Sequence, residues 1–545
     1  MQILFIADLH FALLKFLTMT IRKILFGKAA ACFMSALLTA QLSAYAEAGN
    51  NMDSETIRLD ANAISAKSGS PAKETLKIKS EKIPAWIFDS KGENSVAGTL
   101  PAMPTGCRGV KVEIVVAPLS TPKSAATEDV YRATIFQKSK DSGEPVNKLK
   151  CVPARSKVPA APLSLKTIEL ESCYPAKPGL PITVEVERLN RDPSDTFDAA
   201  AALLEIKLTP VKDRPTPFVV ENSKGYNSWP MMQALGDKLV CVYSRGQAHT
   251  IHEGARGAYV RTSSDGGKTW SEEKVLSNVP DYGEVPIGKG LDENGEMLVW
   301  IRFVGKDRMH KLYKTKDGVN FTHISTPTLN PMPMQITDVF HVPTVGLMAI
   351  WFTGNYGKDA LNAWGTLVSK DNGKTWTQKT VESGLKNIDW NTEQSAVYLG
   401  NGKILAIARV EHSSDSTNRA QFQLESTDYG NTWTRQRTNI GDIFISTPSL
   451  IYDKKTGLVS NYYYQRARGM LKRRVVEANK VFGNPLAWPN PEIVAFASAI
   501  GYDAGNVNAT QIGDTHYLAY YSGDSKNASI LVSAAKAPSP QGEKK

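Results

Sequence analysis

Short runs of apolar residues, many alternating with polar ones and ending in Gly, Asn or Asp, recur along residues 218–538 and predict β-strands joined by tight hairpins. First hairpins are read at turns 236–237, 292–295, 344–346, 400–402, 453–457 and 513–514. Upstream, the runs 110–117, 130–137, 165–171, 182–188 and 202–208 predict a separate sandwich of strands. The intervening stretch 138–162, rich in Lys, Pro and Ser, reads as a long mobile loop. Between the two regions, residues 209–217 break the pattern with three prolines, which sets a linker at 213–217.

Three segments repeat the pattern S-x-D-x-G-x-T-W: 263–270 (SSDGGKTW), 369–376 (SKDNGKTW) and 426–433 (STDYGNTW). A worn copy lies at 315–321 (TKDGVNF), so successive Asp residues are 52, 54 and 57 positions apart. That period suits a four-stranded β-propeller blade, which buries its faces only against its neighbours. The expected fold is therefore all-β: a six-bladed propeller over 218–538, preceded by a β-sandwich over 47–212 with a carbohydrate-binding or structural role and followed by a flexible tail at 539–545. Each repeat is also turn chemistry, with Asp bonding nearby backbone, Gly supplying positive φ and Trp anchoring the hairpin.

The composition, 42% hydrophobic with 40 Gly and 30 Pro in 545 residues, agrees with a folded, turn-rich protein of more than one domain. Residues 19–46, with a basic start, an apolar stretch and the site Ala44-Tyr45-Ala46, read as a secretory leader. The leader is expected over 1–46, with Met19 as an alternative start. Cleavage is favoured over an uncleaved anchor because Lys28 breaks the short apolar core, so the mature protein is expected to be secreted or periplasmic, with no later segment that spans a bilayer. The charge of +10 is mild, too diffuse for nucleic acid but attractive to an acidic glycan. Lys472-Arg473-Arg474 reads as a solvated strand end. Export permits disulfides, with Cys151 and Cys173 the first pair to consider and Cys241 a buried free thiol. No Cys or His spacing argues for a metal, and no cofactor is expected.

Hairpin counting places Arg245, Arg302, Arg409 and Arg466 at the ends of the second strands of blades one, two, four and five, on one rim of the ring. With the turn centred on Asn401, Glu393 falls opposite Arg409. Planar guanidinium forks that converge suit a carboxylate ligand. Glu284, Asp338, Glu393 and Asp503 open blades at the same rim, and His249, His252 and Glu253 lie on the loop 247–257. Glycosidic cleavage needs one group to protonate the leaving oxygen and another to act at the anomeric carbon. Glu393 is the candidate for the second task, with His249 or Glu253 as acid and Tyr463 or Tyr502 as a nucleophile if either reaches the sugar.

The repeats are similar to the Asp boxes of sialidases, and residues 392–409 followed by 426–433 resemble the family order of catalytic Glu, second-strand Arg and Asp box. The resemblance implies a six-bladed propeller with an arginine triad around a sialic acid carboxylate. Arg409 and Arg466 would be two of its members, with Arg468 as the alternative to Arg466. Tyr226-Asn227-Ser228-Trp229-Pro230 replaces the usual first arginine motif, and Asn506 stands where the family's nucleophilic Tyr is expected. With residues 337–341 (TDVFH), these departures resemble phage-type endosialidases more than exosialidases. The sequence ends at Lys545 without a counterpart of their stalk, so processive binding of a polymer is not expected.

The expected function is an exported glycoside hydrolase, exo or endo in action, that cleaves sialic acid or a similar carboxylated sugar. Asp338 and the four arginines would bind substrate; the partner is an acidic glycan, and oligomeric state is left open. Two alternatives stand: a polysaccharide lyase acting on uronates, and a glycan-binding propeller without catalysis.

Overall fold

The computed structural model describes residues 56–539, apart from 139–144, 171–173, 250–255, 356–357, 411–419, 444–445, 497–502 and the single positions 70, 93, 101, 152 and 178. The leader, His252, Glu253, Tyr502 and Cys173 lie outside the described residues.

Two sheets form the N-terminal half. In one, the long strands Cys107–Pro118 and Ala201–Lys212 pair antiparallel; in the other, Ile182–Arg188 lies between Ser95–Leu100 and Glu128–Lys138. Strand alternation builds the core, as in Ile182–Arg188, which buries every second side chain. Val112, Ile114, Val116 and Leu203 from one sheet join Val96, Ile135, Val184 and Val186 from the other in a single cluster, giving a sandwich. Part of the stretch expected as a mobile loop is instead the edge strands Pro145–Lys150 and Ala154–Lys157, both paired with Glu128–Lys138. Lys148 and Lys150 stay exposed while Leu149 between them packs on the core. Charged edge strands have the composition of a loop, which is how they resist pairing with other chains.

Asp213 to Pro217 carry no regular element, and six four-stranded blades follow among the described residues. Their inner strands are Tyr226–Leu235, Gly283–Leu291, Gln335–Val342, Asn391–Gly400, Ser449–Asp453 and Ala504–Ile512; each contacts the next, and the sixth contacts the first. Blade six borrows its outer strand, Phe218–Glu221, from the start of the propeller and pairs it with Ala528–Lys536, which closes the ring. Val211, at the end of the sandwich, packs against Met470, Ile493 and Phe496 of blade five, and Asn490 donates to Glu169 at 2.8 Å.

The repeats are the turns between third and fourth strands. Asp371 accepts from Ser369 Oγ, Thr375 N and Thr375 Oγ1 at 2.6 to 2.9 Å, and these bonds hold its carboxyl down to about 2. Ser369 Oγ accepts from Gly373 N, and Trp376 Nε1 donates back to Gly373 O. The Trp376 ring lies 5.3 Å from that of Trp300 in the preceding blade, so each turn fastens two blades. Cys241 is a buried free thiol whose pKa burial pushes up.

Gly373 sits at φ 93°, and a Cβ there would come within 2.9 Å of Leu312 in the preceding blade. Gly373→Ala should therefore lower stability by roughly 1–3 kcal/mol. Urea unfolding measures this, and an unchanged midpoint would contradict the blade-fastening role of the turn.

Candidate functional site

Five of the six inner strands carry a bulge, between Ser228 and Met231, Pro286 and Gly288, Ile336 and Val339, Thr392 and Ser395, and Gly505 and Asn508. A bulge kinks the strand and re-aims one side chain out of the ladder. At three of them a non-glycine residue is held in the left-handed region: Trp229 at φ 50°, Glu393 at 45° and Asn506 at 48°. Such backbone costs energy and persists only where its surroundings hold it. It is Thr392, not Glu393, that pairs with Arg409 in the ladder. The bulge turns Glu393 aside, yet its Oε2 still accepts from Arg409 Nη1 at 2.5 Å and from Thr447 Oγ1 at 2.8 Å.

From that pair a network crosses three blades. Burial would lift the Glu393 carboxyl, but Arg409, the Thr447 hydroxyl and Arg466 outweigh it and hold the group ionised below the usual carboxylate range. Arg466 Nε donates to Ala504 O at 2.7 Å, and its Nη2 reaches Asn506 Oδ1 and Tyr521 Oη, each at 3.4 Å. Burial raises the Tyr521 phenol, Arg466 and a bond with Tyr226 lower it, and the nearby charge of Glu393 raises it again, with a net rise. Tyr521 thus stays neutral beside an ionised carboxylate. Arg468, the alternative to Arg466, is buried and sends its charge toward Tyr174 of the sandwich.

Why these residues meet and others do not follows from strand phase. On second strands, Ile407 and Tyr464 face the next blade in the ring, and so do Arg409 and Arg466, two residues further on. Tyr521 has the same phase in blade six, beside Ala519 and toward blade one. Arg245 is one residue out of phase, because blade one places Ser244 there. A single step reverses the face: Arg245 turns to blade six, where it pairs with Glu221 at 3.0 Å and with Glu273, over the Tyr259 ring. The expected role of Arg245 in substrate binding is corrected to a structural ion pair. Tyr463 is likewise reversed; its hydroxyl donates to Asp442 at 3.0 Å and accepts from Arg474 Nε at 2.8 Å, in the seam with blade four. It is not a nucleophile at the rim. Lys472, Arg473 and Arg474, expected as a solvated strand end, are all buried, paired with Asp442 or Glu492.

Arg302 has the productive phase, and its Nη1 donates to Met334 O at 2.7 Å on the approach to blade three, three blades from Arg466. Asp338 lies along the central shaft, where its Oδ1 accepts from Lys289 N at 3.2 Å and burial raises its carboxyl. Glu284 is fully buried, accepts from Val279 N at 2.6 Å and is raised by burial.

Next to Tyr521 stands a second cluster. Tyr226 Oη lies 2.6 Å from His249 Nδ1 and donates to Asp503 Oδ1 at 3.1 Å, with His249 Nδ1 3.3 Å from the same oxygen. Nδ1 is thus engaged, and Nε2 is the nitrogen left to exchange protons. Burial lowers the His249 pKa more than Asp503 raises it, so the ring is neutral near pH 7. Sequence reasoning missed Tyr226 and Tyr521. The signal for Tyr521 was its phase on the second strand, equivalent to Arg409.

Arg256 was also missed. Its guanidinium occupies the room left by Ser244, donating to Ser228 Oγ at 3.2 Å and Ser244 Oγ at 3.3 Å, and it stacks 4.7 Å from the Trp229 ring and 5.6 Å from Tyr226. A Cβ at Gly246 would come within 2.7 Å of its Cζ, so glycine is needed there. Burial lowers Arg256 to about 10, which leaves it charged, and among the described residues no carboxylate pairs with it.

Arg409→Met tests the electrostatics. It should cost about 3–5 kcal/mol at neutral pH, because Glu393 is left buried without its main partner. In the native protein the depressed carboxyl contributes stability above its unfolded pKa of about 4.3, lost as pH falls. In the variant burial wins and the carboxyl is raised, so this group should instead cost stability as pH rises above that value. Urea unfolding of both proteins between pH 4 and pH 7 checks the sign on the order of these reference values.

Residues 213–481 match the sequence profile of a family described as BNR repeat-like domain. No match to a curated protein reaches significance. Among solved structures, a protein of unknown function from Dyadobacter fermentans is 16% identical with a TM-score of 0.49, covering 60% of this chain and 99% of its own. The NanB sialidase of Streptococcus pneumoniae is 10% identical with a TM-score of 0.46, covering 83% and 98%. The phage phi92 endosialidase is 10% identical with a TM-score of 0.43, covering 62% and 72%. The match to the BNR repeat-like domain over residues 213–481 thus falls on the ring of blades that carries the Asp-box turns.

Proposed function

We propose that this protein is an exported glycoside hydrolase that cleaves the bond formed by sialic acid or a similar carboxylated sugar. The reading rests on one observation: Arg409, Glu393, Arg466 and Tyr521 belong to a single network across blades four, five and six. Arg409 and Arg466 clamp the sugar carboxylate, while Arg256 adds positive potential from beneath Trp229. A neutral phenol can approach an anionic sugar without repulsion. Tyr521 attacks the anomeric carbon and Glu393 takes its proton; the bond to the leaving oxygen breaks with its electron pair, and that oxygen takes a proton from His249 Nε2. Water then enters by the reverse path, with His249 as base and Tyr521 restored by the proton on Glu393, so configuration is retained. Tyr226 and Asp503 orient His249. The depressed pKa of His249 makes its protonated form a ready acid and favours turnover below neutral pH. The leader pattern supports export.

Purified protein should be assayed against sialosides, polysialic acid and uronate polymers, following free sialic acid, reducing ends and unsaturated sugars. Glu393→Gln and Tyr521→Phe should each lower turnover of a sialoside by roughly 10²-fold or more, with circular dichroism unchanged. Undiminished turnover in either variant would reject the mechanism. Unsaturated products would assign a lyase instead, and binding without turnover a glycan-binding propeller.

A further inference from the structure

Of the five blades whose third and fourth strands follow each other directly, only blade five lacks the S-x-D-x-G-x-T-W turn or its worn copy. Elsewhere the turn closes tightly on the preceding blade: a Cβ on Gly318 would meet Val240 at 2.5 Å, and one on Gly430 would meet Met348 at 2.5 Å. Blade five has instead the short helix Ala478–Val481 and Phe482, which lean over blade four through Gln423 Nε2 to Val481 O at 2.8 Å and Gly483 N to Glu425 Oε1 at 2.7 Å. Beneath this bridge, beside the first hairpin turns of blades four and five, lies a cavity of ≈ 370 Å³. Its volume falls in the roughly 300–1,000 Å³ range of small-molecule sites.

We infer that this cavity is a second binding site, for a neutral, hydroxyl-rich sugar ring. The half-buried rings of Tyr452 and Phe482 offer apolar surface to the C–H face of a pyranose. Asn401 and Asn479, both exposed at the cavity wall, each bring an amide that donates and accepts, which matches hydroxyl groups. The lining itself carries one carboxylate and one ammonium group: Glu477, which pairs with Lys480 at 2.7 Å, and Lys403, which lies 5.1 Å from the Phe482 ring. No guanidinium lines the cavity, so a carboxylate finds no fork here, in contrast to the rim. Glu393 and Gly400 stand at opposite ends of one inner strand, roughly 23 Å apart at about 3.3 Å per residue. A single sugar cannot reach both sites, and the cavity holds the protein on neutral glycan independently of the bowl.

Lactose, maltose and cellobiose, titrated into the full chain by saturation-transfer NMR and calorimetry, test this. At least one should bind saturably, with unchanged affinity in Arg409→Ala, and bind about tenfold or more weakly in Tyr452→Ala and Asn479→Ala. Asn479 is exposed, so its variant reports even if Tyr452→Ala does not fold. Failure of all three sugars to bind, binding that survives both cavity substitutions, or binding lost in Arg409→Ala would each overturn the inference. The last result would place the sugar in the bowl, and none of the three bears on hydrolysis of an acidic sugar there.

Discussion

Every side chain on a pleated strand has one of two faces available, and in a ring of blades that parity decides which of the two neighbouring blades a polar group meets. Arg409 and Tyr521 occupy corresponding positions on two second strands, Arg466 follows directly after a third, and all three act on Glu393 or on one another. Arg245 and Tyr463 are displaced by a single residue and serve instead to join blades. Bulges supply the second degree of freedom, since they let an inner strand re-aim Trp229, Glu393 and Asn506 without altering the rest of the ladder.

Two buried carboxylates show how the same ingredients yield different behaviour. Asp442 is enclosed by Lys472, Arg474 and the Tyr463 hydroxyl, and burial is outweighed so completely that it stays ionised with nothing left to exchange. Glu393 is held by one direct cation and one hydroxyl, with Arg466 acting at longer range. Its neighbour Tyr521 is a phenol that burial keeps neutral. The first arrangement is a staple, whereas the second holds its carboxylate through fewer direct partners among the described residues.

The repeats were legible because their spacing and turn chemistry are local: Asp371, Gly373 and Trp376 interact within a few residues of one another. So was the approach of Glu393 to Arg409, which hairpin counting brings to within one position. Facing was not legible for Arg245, because the bulge at Trp229 and the borrowed outer strand bearing Glu221 are both tertiary facts. The buried Lys472-Arg473-Arg474 looked like surface for a similar reason: Asp442 lies 30 residues from Lys472 and declares no partnership in sequence. Edge strands at 145–157 were hidden by their own protective charges.

Arg256 is among the most costly of the buried charges to keep. A guanidinium removed from water is unfavourable, and among the described residues three partial remedies are combined in place of a carboxylate: two serine hydroxyls, the Ala248 carbonyl and the faces of Trp229 and Tyr226. None of them cancels its charge. Blade one has Ser244 at the second-strand position and receives this cation from Arg256, just before the third strand Gly257–Ser263, through space that Gly246 leaves open. A short residue, Ser244, and a glycine, Gly246, together leave the room in which the positive charge of Arg256 sits at blade one. Arg256, Arg409 and Arg466 thus stand against the carboxylates of Glu393 and Asp503, an excess of one positive charge among these groups.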